Sequence, residues 1–216
     1  MISTTQRVRF SSSGAGSGSD VVGVGCRPKK SSGSNRKRAA RAAANAALDD
    51  SGLSEPQVAR TLARSLPKGA GLVVAASMPV RDLDAFAEAD GRGVTVAANR
   101  GASGIDGTVA TAAGFARGRG LPTALLIGDL ALLHDLSGLT AADRLGADLT
   151  VVVVDNDGGG IFTFLPIADS PTVDHHRLFH TPHGLDLSHV APLCGASYTR
   201  VTDRASLNAS LATTVG

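Results

Sequence analysis

Residues 121–162 read LPTALLIGDLALLHDLSGLTAADRLGADLTVVVVDNDGGGIF. An apolar run, Ala124-Leu125-Leu126-Ile127, ends in Gly128-Asp129-Leu130. A helical stretch follows. A second apolar run, Val151 to Val154, ends in Asp155-Asn156-Asp157 and three glycines, Gly158 to Gly160. The order is strand, turn, helix, strand, turn. Both polar turns fall at the carboxyl ends of strands, where open α/β sheets bind ligands. Parallel neighbouring strands would bring Asp129 and Asn156 together. A carboxylate, an amide oxygen and free carbonyls at a glycine turn form a hard-oxygen site suited to Mg²⁺. The glycines also allow close approach of backbone to a phosphate.

Outward from this stretch the same unit repeats. Leu72 to Ala76 is a short buried strand ending in Ser77-Met78-Pro79-Val80-Arg81-Asp82, where Asp82 starts a short helix through Phe86. Val94 to Ala97 is the next strand, ending in Asn99-Arg100-Gly101-Ala102-Ser103-Gly104-Ile105-Asp106-Gly107. A small-residue helix over 107–117 suits close packing on a sheet. Strands over 122–127 and 149–154 flank a helix over 131–145. Upstream, Ser54 reads as an N-cap, with Pro56 in the first turn and Gln57 completing a capping box. Val58, Leu62 and Leu66 then form the buried stripe of a helix over 55–66. Downstream, Asp186 or Ser188 caps a short helix through Leu193, Ser197 to Val201 is a last strand, and Asp203 caps a final helix over 205–211. The expected fold is α/β: a three-layer, doubly wound, mostly parallel sheet. Its polar turns share one edge, and that edge is the expected site.

Three segments are expected: a disordered Ser/Gly/basic tail over 1–35, a marginal helix or linker over 36–53, and the folded domain over 54–216. The tail has almost nothing to bury. The 36–49 helix offers little but Ala to a core. The chain ends abruptly after the last helix, so a C-terminally clipped domain is expected. Net charge is +2, yet residues 1–41 carry nine Lys or Arg against Asp20, so the remainder is acidic. Aromatics are 3% with no Trp, a poor supply for base stacking, so no nucleic-acid function is expected. Cys26 and Cys194 match neither a disulfide framework nor a metal spacing, and a reduced cytoplasmic setting is the default. No apolar run reaches the roughly 18 residues of a membrane span. His134, His175, His176, His180 and His183 fit no zinc spacing, and GGGIF is not the spaced dinucleotide fingerprint.

Gly128-Asp129 followed by Asn156 resembles the thiamine diphosphate motif, with Leu130 where that motif usually has Gly. The wider pattern resembles the MenD family, the 2-succinyl-5-enolpyruvyl-6-hydroxy-3-cyclohexene-1-carboxylate synthases of menaquinone biosynthesis. It rests on Ser77 to Leu83, Ala98 to Gly107, Gly128 to Leu130 with His134-Asp135, Asp155 to Phe162, and Phe179 to His183. The resemblance covers about residues 36–211 and corresponds to that family's C-terminal cofactor-binding domain.

The resemblance implies a transferase that uses thiamine diphosphate (thiamine pyrophosphate) and Mg²⁺, with Mn²⁺ as an alternative. Asp129, Asn156 and the Gly158 carbonyl would hold the metal. Ser77, Met78, Gly128, Asp129, Leu130 and Ala131 would surround the diphosphate. Ile105 would be the apolar wedge beneath the bent cofactor. Gly158, Gly159 and Ile161 would contact the cofactor, and Ile161 and Phe162 would line the pocket near the reactive carbon. Arg81 and Arg100 would bind the carboxylates of 2-oxoglutarate and isochorismate, since guanidinium forks suit polycarboxylates. His183 would line the substrate mouth. The activating glutamate of such enzymes lies on a pyrimidine-binding domain of a neighbouring subunit, so a homodimer or homotetramer is implied. This chain has no room for that domain and is expected to be inactive alone. Another thiamine-dependent 2-oxo acid decarboxylase or synthase, or a noncatalytic module of the same fold, are the competing readings.

Overall fold

Leu72, Val74, Ala124, Leu126, Val152 and Val154 belong to one apolar layer, while Val73, Leu125, Ile127, Val151 and Val153 belong to another. This alternation follows from the two-residue period of a strand and makes both sheet faces apolar. The computed structural model describes residues 5–6, 34–88, 90–99 and 104–215. Most of the expected tail over 1–35 therefore lies outside the described residues.

Four strands make the parallel sheet: β2 (Gly71–Val74), β3 (Thr95–Ala98), β4 (Thr123–Gly128) and β5 (Leu149–Val154), in the order β3-β2-β4-β5. On one face lie α2 (Glu55–Ser65) and α8 (Arg204–Thr214), which bury Val58, Leu62, Leu207 and Leu211. On the other lie α4 (Thr108–Arg119), α6 (Leu136–Leu145) and α7 (Val190–Leu193). Burying each large aliphatic side chain contributes about 1.5–3 kcal/mol. Cys194 joins this second layer as a buried thiol. Close helix packing sets the residue sizes: a Cβ at Gly138 would lie 2.7 Å from the Ala110 nitrogen.

The structure departs from the sequence reading at several elements. The helix expected over 131–145 is two, α5 (Asp129–His134) and α6, broken at Asp135. The break has a physical reason. Gly107, the N-cap of α4, has no side chain to cap the helix, and the Asp135 carboxylate instead accepts the Ala110 N–H at 2.8 Å. α3 (Met78–Phe86) begins four residues before Asp82, with Pro79 in its first turn. The last strand is only β6 (Tyr198–Thr199), paired antiparallel with β1 (Thr5–Gln6) rather than with the parallel sheet.

Helix α1 (Ser34–Asp50) is tied down by polar contacts where its alanines offer little burial. Arg60, buried on α2, donates to Asp49 at 2.6 Å and to the Asn45 Oδ1 at 3.0 Å. Gln57 donates to the Leu48 carbonyl. Its Oε1 also accepts the Ser54 N–H at 3.2 Å, as a capping box requires.

Candidate functional site

Register places the site. Gly128 pairs with Val154 across β4 and β5, so Asp129 and Asp155 leave the sheet side by side. Asp129 is 2% exposed. Its Oδ1 accepts the Leu130 N–H at 2.6 Å. Its Oδ2 accepts the Asn156 N–H at 3.1 Å and the Gly158 N–H at 2.9 Å. The carboxylate of one turn thus organises the backbone of the other.

The glycine turn needs its glycines. Gly158 has φ +139, and a Cβ there would lie 2.3 Å from the His180 carbonyl oxygen. Ser77, at the neighbouring strand end, takes φ 72 and ψ −136, a region L-residues rarely occupy. Strain of this kind costs about 1–3 kcal/mol and clusters at functional sites. The Arg81 Nη1 donates to the Ser77 carbonyl at 2.5 Å, bracing that turn.

A cavity of about 350 Å³ opens above these turns. Ser77, Met78 and Arg81 line it from the end of β2; Gly128, Asp129, Leu130 and Ala131 from β4; Asn156, Gly158, Gly159, Ile161 and Phe162 from β5. Ile105 closes it beside the α4 start while also packing on the core. Phe162 is half-exposed and meets Phe179 edge to face at 6.1 Å. Arg100 lies outside the described residues.

One residue of the cavity was not singled out by the sequence. Glu55, the first residue of α2, lines the cavity and accepts the Asn156 Nδ2 at 2.8 Å. No motif marks it, because the contact spans 101 residues. His183, expected at the substrate mouth, is outside the cavity lining and meets Asp129 instead, its Nε2 3.3 Å from Oδ2. Because the Leu185 N–H donates to His183 Nδ1 at 3.0 Å, the ring proton is assigned to Nε2.

Electrostatics concentrate negative charge here. Burial pushes the Asp155 carboxyl above its ordinary value; the Asp157 N–H offsets part of this and Asp129 adds to it. Asp157 is held below its ordinary value, chiefly by the Gly184 N–H at 2.7 Å. Asp129, Asp155 and His183 place ligand atoms within 4.8 Å of one another, a cluster able to hold a cation. A hard-oxygen set fits better. Asn156 Oδ1 is buried with no hydrogen-bond partner among the described residues, whereas the protonated His183 Nε2 is turned toward Asp129 as a donor. A buried amide oxygen without a protein partner is a ligand that a hard cation can use.

The fold and strand-end site define a class of α/β proteins that bind ligands at the carboxyl edge of a parallel sheet. The model of the family described as thiamine pyrophosphate enzyme, C-terminal TPP binding domain, matches residues 83–215, and the chain belongs to that family. Within it, the chain is 60% identical over 148 residues to a 2-succinyl-5-enolpyruvyl-6-hydroxy-3-cyclohexene-1-carboxylate synthase of Rubrobacter xylanophilus, covering 68% of this chain and 25% of that protein. A synthase of the same name from Myxococcus xanthus is 56% identical over 149 residues, covering 68% and 25%. The chain spans about a quarter of the length of these curated relatives. A benzoylformate decarboxylase from Polynucleobacter necessarius shares the fold, with TM-score 0.62 at 21% identity over 76% of this chain and 31% of that one. Among the described residues no helix is long and apolar enough to cross a membrane.

Proposed function

We propose that this chain is the diphosphate- and metal-binding part of an enzyme joining the succinyl unit of 2-oxoglutarate to isochorismate with loss of CO₂. Thiamine diphosphate, when bound, supplies the nucleophilic carbon and the electron sink for that chemistry. Asp129 Oδ1, Asn156 Oδ1 and the Gly158 carbonyl would hold Mg²⁺ or Mn²⁺ against its phosphates. Met78, Leu130 and Ile105 give the cavity an apolar wall that would keep water from the cofactor's rings. Arg81 sits at the rim with donors beyond the one given to Ser77, and with Arg100 would bind substrate carboxylates. Phe162 and Ile161 would shield the reacting carbon. The full-length protein would work in the cytoplasm as a homodimer or homotetramer, a pyrimidine-binding domain supplying the activating glutamate.

One observation carries this reading: the Asp129 carboxylate bonds both Asn156 and Gly158 beneath a cavity into which an orphaned amide oxygen is free to coordinate. Calorimetry with thiamine diphosphate in excess Mg²⁺ tests it. Metal-dependent heat is expected from the unmutated chain, with at least a tenfold weakening in Asp129→Ala. Equal heats from both, with and without Mg²⁺, would refute it.

A further inference from the structure

An amide side chain carries a donor on one branch and an acceptor on the other. Which branch faces a metal decides between attraction and repulsion. Nothing intrinsic to Asn156 makes that choice, since the two orientations have almost the same shape. A neighbour that can only accept would make it. An ionised carboxylate is such a group.

Glu55 stands in that place. Its Oε1 takes the Asn156 Nδ2–H at 2.8 Å. The first turn of α2 favours a negative charge at this position. From the other side Gly160 lies so close that a Cβ there would be 2.7 Å from Nδ2. The nitrogen branch is therefore held by Glu55, beside a position where only glycine leaves it room, and Oδ1 is left buried and unbonded among the described residues.

We infer that Glu55 is a positioning residue for the metal site: by accepting from Nδ2 it fixes the Asn156 amide so that Oδ1, and not the NH₂ group, is presented to the cation. This inference rests on the metal site proposed above. Glu55 contacts the ligand and not the ion. Partners of this kind affect metal affinity by about 10–100-fold when removed.

The test uses the full 216-residue chain, with Mn²⁺ and thiamine diphosphate as probes. Without ligand, nuclear magnetic resonance should show the Asn156 side-chain amide displaced from random-coil positions, and returned toward them in Glu55→Ala. With ligand, paramagnetic resonance of bound Mn²⁺ should report about tenfold weaker binding in Glu55→Ala, at unchanged helical circular dichroism. Glu55→Gln, which loses the charge and can donate as well as accept, should recover only part of the affinity. In an Asn156→Asp background both branches are oxygens, so Glu55→Ala should no longer weaken binding. Unchanged Mn²⁺ affinity in Glu55→Ala, beside a binding-defective Asp129→Ala, would overturn this inference alone. Continued weakening by Glu55→Ala in the Asn156→Asp background would also overturn it, because charge rather than orientation would then be the cause. No binding by the unmutated chain would remove the site reading, and this inference with it.

Discussion

Asp82 is 4% exposed on α3, and its carboxylate makes no hydrogen bond among the described residues. Burial, with a smaller contribution from the Glu55 charge, pushes its pKa from 3.8 to about 6. The sign of the effect on stability follows. A carboxyl that binds its proton more tightly when folded stabilises the fold fully below about pH 4, where folded and unfolded chains are both protonated. That contribution is lost as pH rises through about 6. Above it, the folded protein carries a partly desolvated charge, which costs about 1 kcal/mol once screening by the solvent that reaches the carboxylate is allowed for. The Asp82→Asn variant should therefore be more stable than the unmutated chain at pH 7.5, by roughly that amount. The gap should close toward zero by pH 4. Urea unfolding across this range reads both arms, and a gap independent of pH would contradict the assignment. Asp129 differs in kind: it is as deeply buried but accepts three backbone N–H groups. Burial alone does not set a carboxyl's behaviour; the donors around it do.

At the scale of elements, α4 has a glycine where a capping side chain is usual, and the missing oxygen arrives from Asp135. Removing it leaves a partly buried helix-start N–H without its cap, which costs about 0.5–2 kcal/mol. Asp135→Ala should lower the urea midpoint accordingly, and Asp135→Asn, which keeps an acceptor, should restore most of the loss. Equal midpoints for the Ala variant and the unmutated chain would show that the cap is not needed. The same contact explains what the sequence could and could not convey. The strands over 123–128 and 149–154 are legible because buried parallel strands are nearly continuous apolar runs, and Asp129 and Asn156 because polar turns at strand ends stand out against them. The break at Asp135 is not legible, since residues 131–145 keep a helical apolar period across it and its cause lies 25 residues away. Glu55 is hidden for the same reason at longer range. β6 could not be assigned a partner either, because its pairing is with two residues near the start of the chain.

For the molecule as a whole, the decisive count is of glutamates. The sequence contains only Glu55 and Glu88. Glu88 is exposed and bonded to Asn45 at 3.0 Å and Arg64 at 3.2 Å, on α1 and α2. Glu55 reaches the cavity but is committed to Asn156. Neither is free to activate the aminopyrimidine, the role that a glutamate fills in the family this chain resembles. The cavity rim adds a second deficit. Phe162 in its lining is 39% exposed, and Phe164, two residues further along the chain, is 74% exposed. Such a rim admits water, whereas a reactive carbanion equivalent needs it excluded. A surface of this kind is normally covered by another domain or subunit. The purified chain, given isochorismate, 2-oxoglutarate, thiamine diphosphate and Mg²⁺, should bind cofactor yet evolve no CO₂ above the rate without protein. Adding a pyrimidine-binding domain from a full-length relative should raise that rate and lower the dye-accessible apolar surface together. Sustained CO₂ release by the chain on its own would mean that an acid other than a glutamate activates the cofactor, and Asp155, held above its ordinary value beside the site, would be the first to replace.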